Sequence, residues 1–205
     1  MLKKEIIMNK PIAIGFCILD LSKYLMYDFH YNVMKKKYGN NCEVLYTDTD
    51  SLIYNIQTDD LYDDFKEMKD YFDLSEYPAD HKCFDTTNKK VIGKFKCETN
   101  GVPIEEFIGI RAKMYSVKIG EKAKMRGKGI KASAMKKIDH SDYYNCLFGD
   151  KKDNKQDVEF KLIKSINHKI HTINVKKVSL CCFDDKRYYL NMTESRAHGH
   201  YLNTY

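Results

Sequence analysis

The chain has 205 residues, 43% of them apolar and 31% charged, with only 3 prolines. That is enough apolar material for a packed core and argues against bulk disorder. Lysine and arginine number 35 against 29 aspartates and glutamates, a mild net charge of +6 that leaves an anionic partner open. The 7 cysteines (Cys17, Cys42, Cys83, Cys97, Cys146, Cys181, Cys182) include no C-x-x-C pair. This argues against a zinc module or a secreted disulfide scaffold and makes a reducing compartment the default. Residues 1–10 lack the apolar run of a signal peptide. No stretch approaches the roughly 20 apolar residues of a membrane span, so no membrane partner is expected.

Residues 12–37 predict a helix, because Ile18, Leu21, Leu25, Met26, Phe29 and Val33 recur at three- and four-residue steps on one face. Gly39-Asn40-Asn41 breaks that pattern. Residues 43–46 and 52–56 predict two short strands joined by a tight polar connection, a β-hairpin with acids at its tip. Residues 61–72 predict an amphipathic helix with Leu61, Phe65, Met68 and Phe72 in register, closed by Tyr77-Pro78. Strands are expected at 91–97 and 105–110 around the Asn100-Gly101 turn, and at 114–119. After Gly120 the character changes: 122–131 is basic and glycine-punctuated, 141–148 suits a short helix, and 158–162, 168–175 and 186–190 suit strands. A soft boundary near residue 120 separates 1–120 from 121–205. The order helix, hairpin, helix, sheet is an α+β arrangement.

Charge is unevenly spread. Residues 111–137 carry Arg111, Lys113, Lys118, Lys122, Lys124, Arg126, Lys128, Lys131, Lys136 and Lys137 against a single acid, Glu121. Residues 59–80 are acidic instead. A basic block suits nucleic acid, and a solvated charged face is the plain alternative.

The sharpest local feature is Tyr46-Thr47-Asp48-Thr49-Asp50-Ser51. On an extended strand, Asp48 and Asp50 would point the same way; at a bend they would flank it. Two carboxylates held close repel unless a cation lies between them. Mg²⁺ suits such a pair, since it takes one or two carboxylates and fills its shell with phosphate oxygens and water. Two such ions roughly 3.5–4 Å apart serve phosphoryl transfer. A simple turn or helix cap is the competing reading of D-x-D. A calcium loop fails, because Leu52 and Ile53 stand where it needs an oxygen ligand and a glycine. A glycosyltransferase D-x-D would need a nucleotide-sugar fold that the sequence does not suggest.

Flanked by apolar strands, this string resembles motif C of family B DNA polymerases. Gly15-Phe16-Cys17-Ile18-Leu19-Asp20-Leu21-Ser22-Lys23 and Met26-Tyr27 resemble the preceding helix in the protein-primed branch, which includes adenovirus-type, linear-plasmid and self-synthesising-transposon enzymes. Asn88-Lys89-Lys90-Val91-Ile92-Gly93-Lys94-Phe95-Lys96 is similar to that branch as well. Arg111-Ala112-Lys113-Met114-Tyr115-Ser116 resembles the K-x-Y element at the palm–thumb junction, and Lys128-Gly129-Ile130-Lys131 the basic start of the thumb. Segments at 168–172, 184–188 and 197–201 resemble transposon-type relatives, so the resemblance covers most of the chain.

The resemblance implies a polymerase palm fragment over 1–120, an antiparallel sheet with packed helices, followed by a thumb-like region over 121–205. It implies Asp48 and Asp50 as catalytic Mg²⁺ ligands. Lys113 and Tyr115, sharing a strand face, would contact the duplex near the primer terminus, and Lys128 and Lys131 would grip backbone phosphates. The implied reaction is nucleotidyl transfer from deoxynucleotide triphosphates to a primer 3′-OH on primer–template DNA, in nucleus or cytoplasm, with a terminal protein as one priming route. Motifs A and B and the 3′–5′ exonuclease motifs are not found in the chain. The expectation is a fragment inactive alone, and the alternative is a non-catalytic DNA-binding remnant of a mobile-element polymerase.

Weaker features read better as structure. His168 with His171, and His198 with His200, form pairs that could ligate metal but lack further ligands. Ser51, Cys181 and Cys182 have no evident base beside them. The 16 tyrosines and 10 phenylalanines are mostly core material, though some could stack on bases. Lys186 and Arg187 fit template phosphates or a surface turn equally.

Overall fold

A computed structural model describes residues 9–150, 155–183, 187–191, 194–197 and 199–202. Expectations for residues 1–8, for Asp184-Asp185-Lys186 and for His198 fall outside these. The chain is α+β with small, mostly antiparallel sheets. It divides into two compact units, Met1–Gly101 and Val102–Tyr205.

In the first unit the apolar periodicity makes α1 (Ile12–Asp28), but the helix does not run evenly to residue 37. A π-helical segment, Phe29–Met34, intervenes before α2 (Lys35–Tyr38), marked by the Lys35 N–H donating to the His30 carbonyl five residues back. The reason is packing. Residues five apart on an α-helix diverge by about 140°. A wider turn brings them onto one side, and both Phe29 and Met34 reach the core, 4% and 1% exposed. Only the C-terminal part of the predicted face is covered. Ile18 and Leu21 remain 63% and 68% exposed. At the end of α2, Gly39 (φ +56°, ψ −122°) takes a conformation that side-chain-bearing residues avoid, and the chain turns into β1.

β1 (Cys42–Asp48) and β2 (Ser51–Ile56) pair antiparallel, longer than expected but in the expected hairpin. α3 (Leu61–Glu67) is capped by the Asp60 carboxylate, which accepts from the Tyr62 and Asp63 N–H groups. It stops short of residue 72, and Phe72–Asp73 instead forms β3, paired in parallel with β4 (Phe95–Lys96). The expected strand at 91–97 is thus confined to β4. Val91 and Lys94 N–H groups close turns onto Asn88 and Val91 carbonyls, and Ile92 is fully exposed. The core gathers Phe29, Met34, Cys42, Met68, Phe72 and Leu74, with Phe95 stacked on Phe29 at 4.0 Å.

In the second unit β5 (Glu106–Arg111), β6 (Met114–Ile119) and β7 (Lys122–Gly127) form one antiparallel sheet. Glu105–Ile110 therefore pairs with β6 rather than across the Asn100-Gly101 turn. The β6–β7 hairpin turns at Gly120, so the sheet runs through the expected boundary there, and the compact units part at Gly101. α4 (Ala132–Met135) and α5 (His140–Phe148) follow, the latter closed by a reciprocal Asp139–Asp142 capping box. β8 (Lys155–Ile166) and β9 (Lys169–Cys181) make a long hairpin, whose turn residues Asn167 and His168 both have positive φ. β10 (Arg187–Tyr189) pairs with β11 (Ser195–Ala197). Ile108, Met114, Ile138, Tyr143, Cys146 and Leu180 form this unit's core.

Candidate functional site

The two acids lie at the β1–β2 turn. Asp48 ends β1 opposite Ser51, half-buried, and Asp50 is exposed in the turn itself. The Asp50 N–H donates to the Asp48 carbonyl at 2.7 Å, closing a three-residue turn about Thr49. Thr49 has φ +59°, a strained conformation for a β-branched residue. The Thr49 hydroxyl donates to Asp48 Oδ1 (3.3 Å) and the Ser51 hydroxyl to the Asp48 carbonyl (3.2 Å). The acids therefore flank a bend. They do not lie along one extended strand.

A β-bulge sets the direction of Asp48. Pairing steps from Val44↔Tyr54 to Tyr46↔Ile53, leaving Leu45 as an extra residue in β1. Before the bulge Cys42 and Val44 oppose Ile56 and Tyr54, which pack on the core with Leu52. After it Tyr46 and Asp48 oppose Ile53 and Ser51, on the other face of the hairpin. One inserted residue thus turns Asp48 away from the core. Among the described residues no group of three or more His, Cys, Asp or Glu side chains forms a metal cluster. The pair of acids fits one or two positions of a Mg²⁺ shell.

Much of the acidic stretch is tied into the structure, while Asp59, Asp70 and Asp80 are exposed. Asp64 accepts from the Tyr38 hydroxyl (3.0 Å) and Thr58 hydroxyl (2.7 Å), and Lys37 lies 3.0 Å away. Lys82 bridges Asp60 and Asp63, and Lys96 lies 2.6 Å from Glu76. Asp73 is buried and accepts from the Ser75 and Lys90 N–H groups, both at 3.0 Å. Hydrogen bonding from Ser75, then Lys90 and the nearby Lys96 ammonium, brings its carboxyl down to about 2 against the cost of burial.

The second unit places the remaining predicted residues. Lys113 sits in the β5–β6 turn at φ +59°, not on a strand, so alternation does not put it on the face of Tyr115. Tyr115 lies on β6 between Gly109 and Arg126, with the Phe107 ring 6.0 Å away. Lys128 is exposed beyond β7, its N–H donating to the Lys113 carbonyl at 2.9 Å. Lys131 reaches β8 instead: its ammonium donates to the Lys161 carbonyl (2.7 Å) and lies over the Phe160 ring.

Sequence reasoning missed β7. Lys122, Lys124 and Arg126 alternate with Ala123, Met125 and Gly127, a period of two that signals a strand with one basic face. The pairing puts Phe107, Tyr115, Lys124 and Arg126 on that face together with Val117, which is 3% exposed, while Ile108, Met114, Ser116 and Met125 face the opposite way. Aromatic and cationic side chains together suit a nucleic-acid backbone and its bases.

Other groups have structural partners. The Ser116 hydroxyl lies 2.6 Å from His140 Nδ1, and His140 Nε2 lies 3.2 Å from Glu106 Oε2. Ser116 is fully buried, and this Ser–His–carboxylate string ties α5 to the sheet. His168 is in a turn and His171 on β9 opposite Lys164; the His200 ring contacts Tyr201. Cys181 is buried, and burial pushes the neighbouring Cys146 thiol up to about 11. No helix among the described residues is long and apolar enough to cross a membrane.

Comparison with protein-family models, curated proteins and solved structures finds no match to this chain.

Proposed function

We propose that the chain is a palm and thumb-like part of a DNA-directed DNA polymerase of family B, of the protein-primed kind. The observation that carries this reading is the strained two-acid turn on a bulged hairpin. Strained residues cluster where function over-determines them, and bulges re-aim side chains beside active sites. Here one bulge directs Asp48 away from the core and a left-handed Thr49 holds Asp50 beside it. Asp48 and Asp50 would hold Mg²⁺, which when bound supplies charge stabilisation for the attacking and leaving oxygens. Tyr115 and Arg126 would lie along duplex backbone, with Lys113 and Lys128 near each other at one end of the same sheet. Lys131 is weaker in this role, because its ammonium is engaged by β8.

The basic face of β6 and β7 favours a second reading: a non-catalytic DNA-binding remnant of a mobile-element polymerase. Both readings predict binding to primer–template DNA that weakens steeply with salt. They part at the hairpin. With DNA and a deoxynucleotide triphosphate present, Mn²⁺ should broaden the NMR signals of Asp48 and Asp50 under the first reading and leave them sharp under the second. Primer extension with Mg²⁺ is the activity test. With motifs A and B not found in the chain, no extension is the expected result; extension abolished by Asp50→Ala would keep the catalytic aspartates but overturn the expectation of a fragment inactive alone, and extension that survives that substitution would refute the catalytic assignment. Absence of DNA binding at low salt removes both readings.

A further inference from the structure

We propose that α1 is a self-association interface: a second copy of this chain lays its own α1 antiparallel along the exposed helix. The inference rests on the first unit alone and does not depend on the polymerase reading. Ile14, Ile18, Leu21 and Leu25 recur at steps of four, three and four, the a/d spacing of a coiled-coil seam over two heptads. They are 61%, 63%, 68% and 39% exposed. α1 is buried only at Met26, near its C-terminal end.

The rest of the helix has little local support. Pro11 at the N-cap makes no side-chain capping bond, the first turn carries no acid, and Gly15 interrupts a run of better helix formers. The Asp20–Lys23 pair, 3.7 Å apart and half exposed, adds little. A helix this apolar and this poorly capped takes its stability from packing.

The chemistry of the face selects the occupant. Gly15, Cys17, Ser22 and Tyr24 flank the seam and none is charged, so neither a charged peptide nor nucleic acid finds its complement there. An anionic lipid surface needs a basic polar face, and α1 carries Lys23 against Asp20 and Asp28. The seam fits a helix with the same apolar spacing, which α1 of a second copy supplies in a self-complementary, two-fold arrangement. Run antiparallel, Ile18 packs on Leu21 of the second copy and Ile14 on its Leu25, each pair formed twice. That direction opposes the helix dipoles and keeps the two folded bodies, attached at the C-terminal ends, at opposite ends of the helix pair.

The area is sufficient. At roughly 150–250 Å² per large side chain, the exposed apolar residues of α1 leave about 1,000 Å² uncovered, roughly twice the largest apolar patch of a typical monomer. About half lies on the seam side, so two copies bury about 1,000 Å² between them, the size that a specific interface needs.

Sedimentation velocity of the full chain between about 1 and 100 µM should show a monomer–dimer equilibrium. Leu21→Glu, which places a charge in the seam of the dimer and in water on the monomer, should raise the dissociation constant about tenfold or more and leave the tyrosine circular dichroism of the monomer unchanged. A chain that stays monomeric, one that forms open-ended aggregates in place of a dimer, or a dimer untouched by Leu21→Glu overturns the proposal. Oxidation of Ile14→Cys/Leu25→Cys in a Cys17→Ser background tests the direction. The two positions stand about 16 Å apart along one helix, beyond the roughly 7 Å reach of a disulfide, so a 14–25 link found by peptide mass spectrometry joins two copies and supports the antiparallel pairing. Links of 14 to 14 and of 25 to 25 in its place overturn it.

Discussion

Asp73→Asn replaces a carboxylate that accepts two backbone N–H groups at 3.0 Å, from Ser75 and Lys90, with Lys96 3.9 Å away. An asparagine of the same shape keeps one acceptor oxygen but turns an NH₂ donor toward a second N–H. The Asp73 carboxyl falls from 3.8 to about 2 on folding. At 1.36 kcal/mol per unit that is at most about 2.4 kcal/mol. The group is 5% exposed but lies just under the surface, so screening trims this to about 1–2 kcal/mol. Because the folded value is the lower one, the contribution is whole above pH 5 and is lost as pH falls toward 2. Urea unfolding followed by tyrosine near-ultraviolet circular dichroism reads it, since the chain has 16 tyrosines and no tryptophan. The wild-type advantage over Asp73→Asn should be about 1–2 kcal/mol at pH 7, roughly half that at pH 3, and small at pH 2. A difference near zero at pH 7, or one that does not shrink on acidification, would show that the buried carboxylate is no anchor for the β3–β4 region.

Two further outcomes test the packing and the basic face. Met34→Ala empties a side chain that is 1% exposed in the first core and should cost about 2–4 kcal/mol by the same unfolding assay; a loss under about 1 kcal/mol would mean the π-helical segment does not hold Met34 in the core. Arg126→Gln should lower the salt dependence of DNA binding by about 0.9 in slope and affinity at 0.1 M salt about eightfold, and an unchanged slope would remove the β7 face from the interface.

Much of the local structure was legible. Three- and four-residue apolar steps marked α1, Val, Leu and Ile around a polar bend marked the β1–β2 hairpin, and the acids at its tip were plain in the sequence. β7 was equally legible in the alternation of Lys122, Lys124 and Arg126, though lysine-rich strands lack the β-branched signature that draws attention. Other features depended on contacts between segments distant in sequence. Helical periodicity cannot say which turns will be covered, and the wider turn at Phe29–Met34 exists because two residues five apart compete for one core. The helix expected to reach residue 72 ends early because Phe72 and Asp73 find Phe95 and Lys96 as strand partners. The face of Asp48 was set by one unpaired residue, Leu45, since an insertion reverses every later side chain and leaves the local composition unchanged.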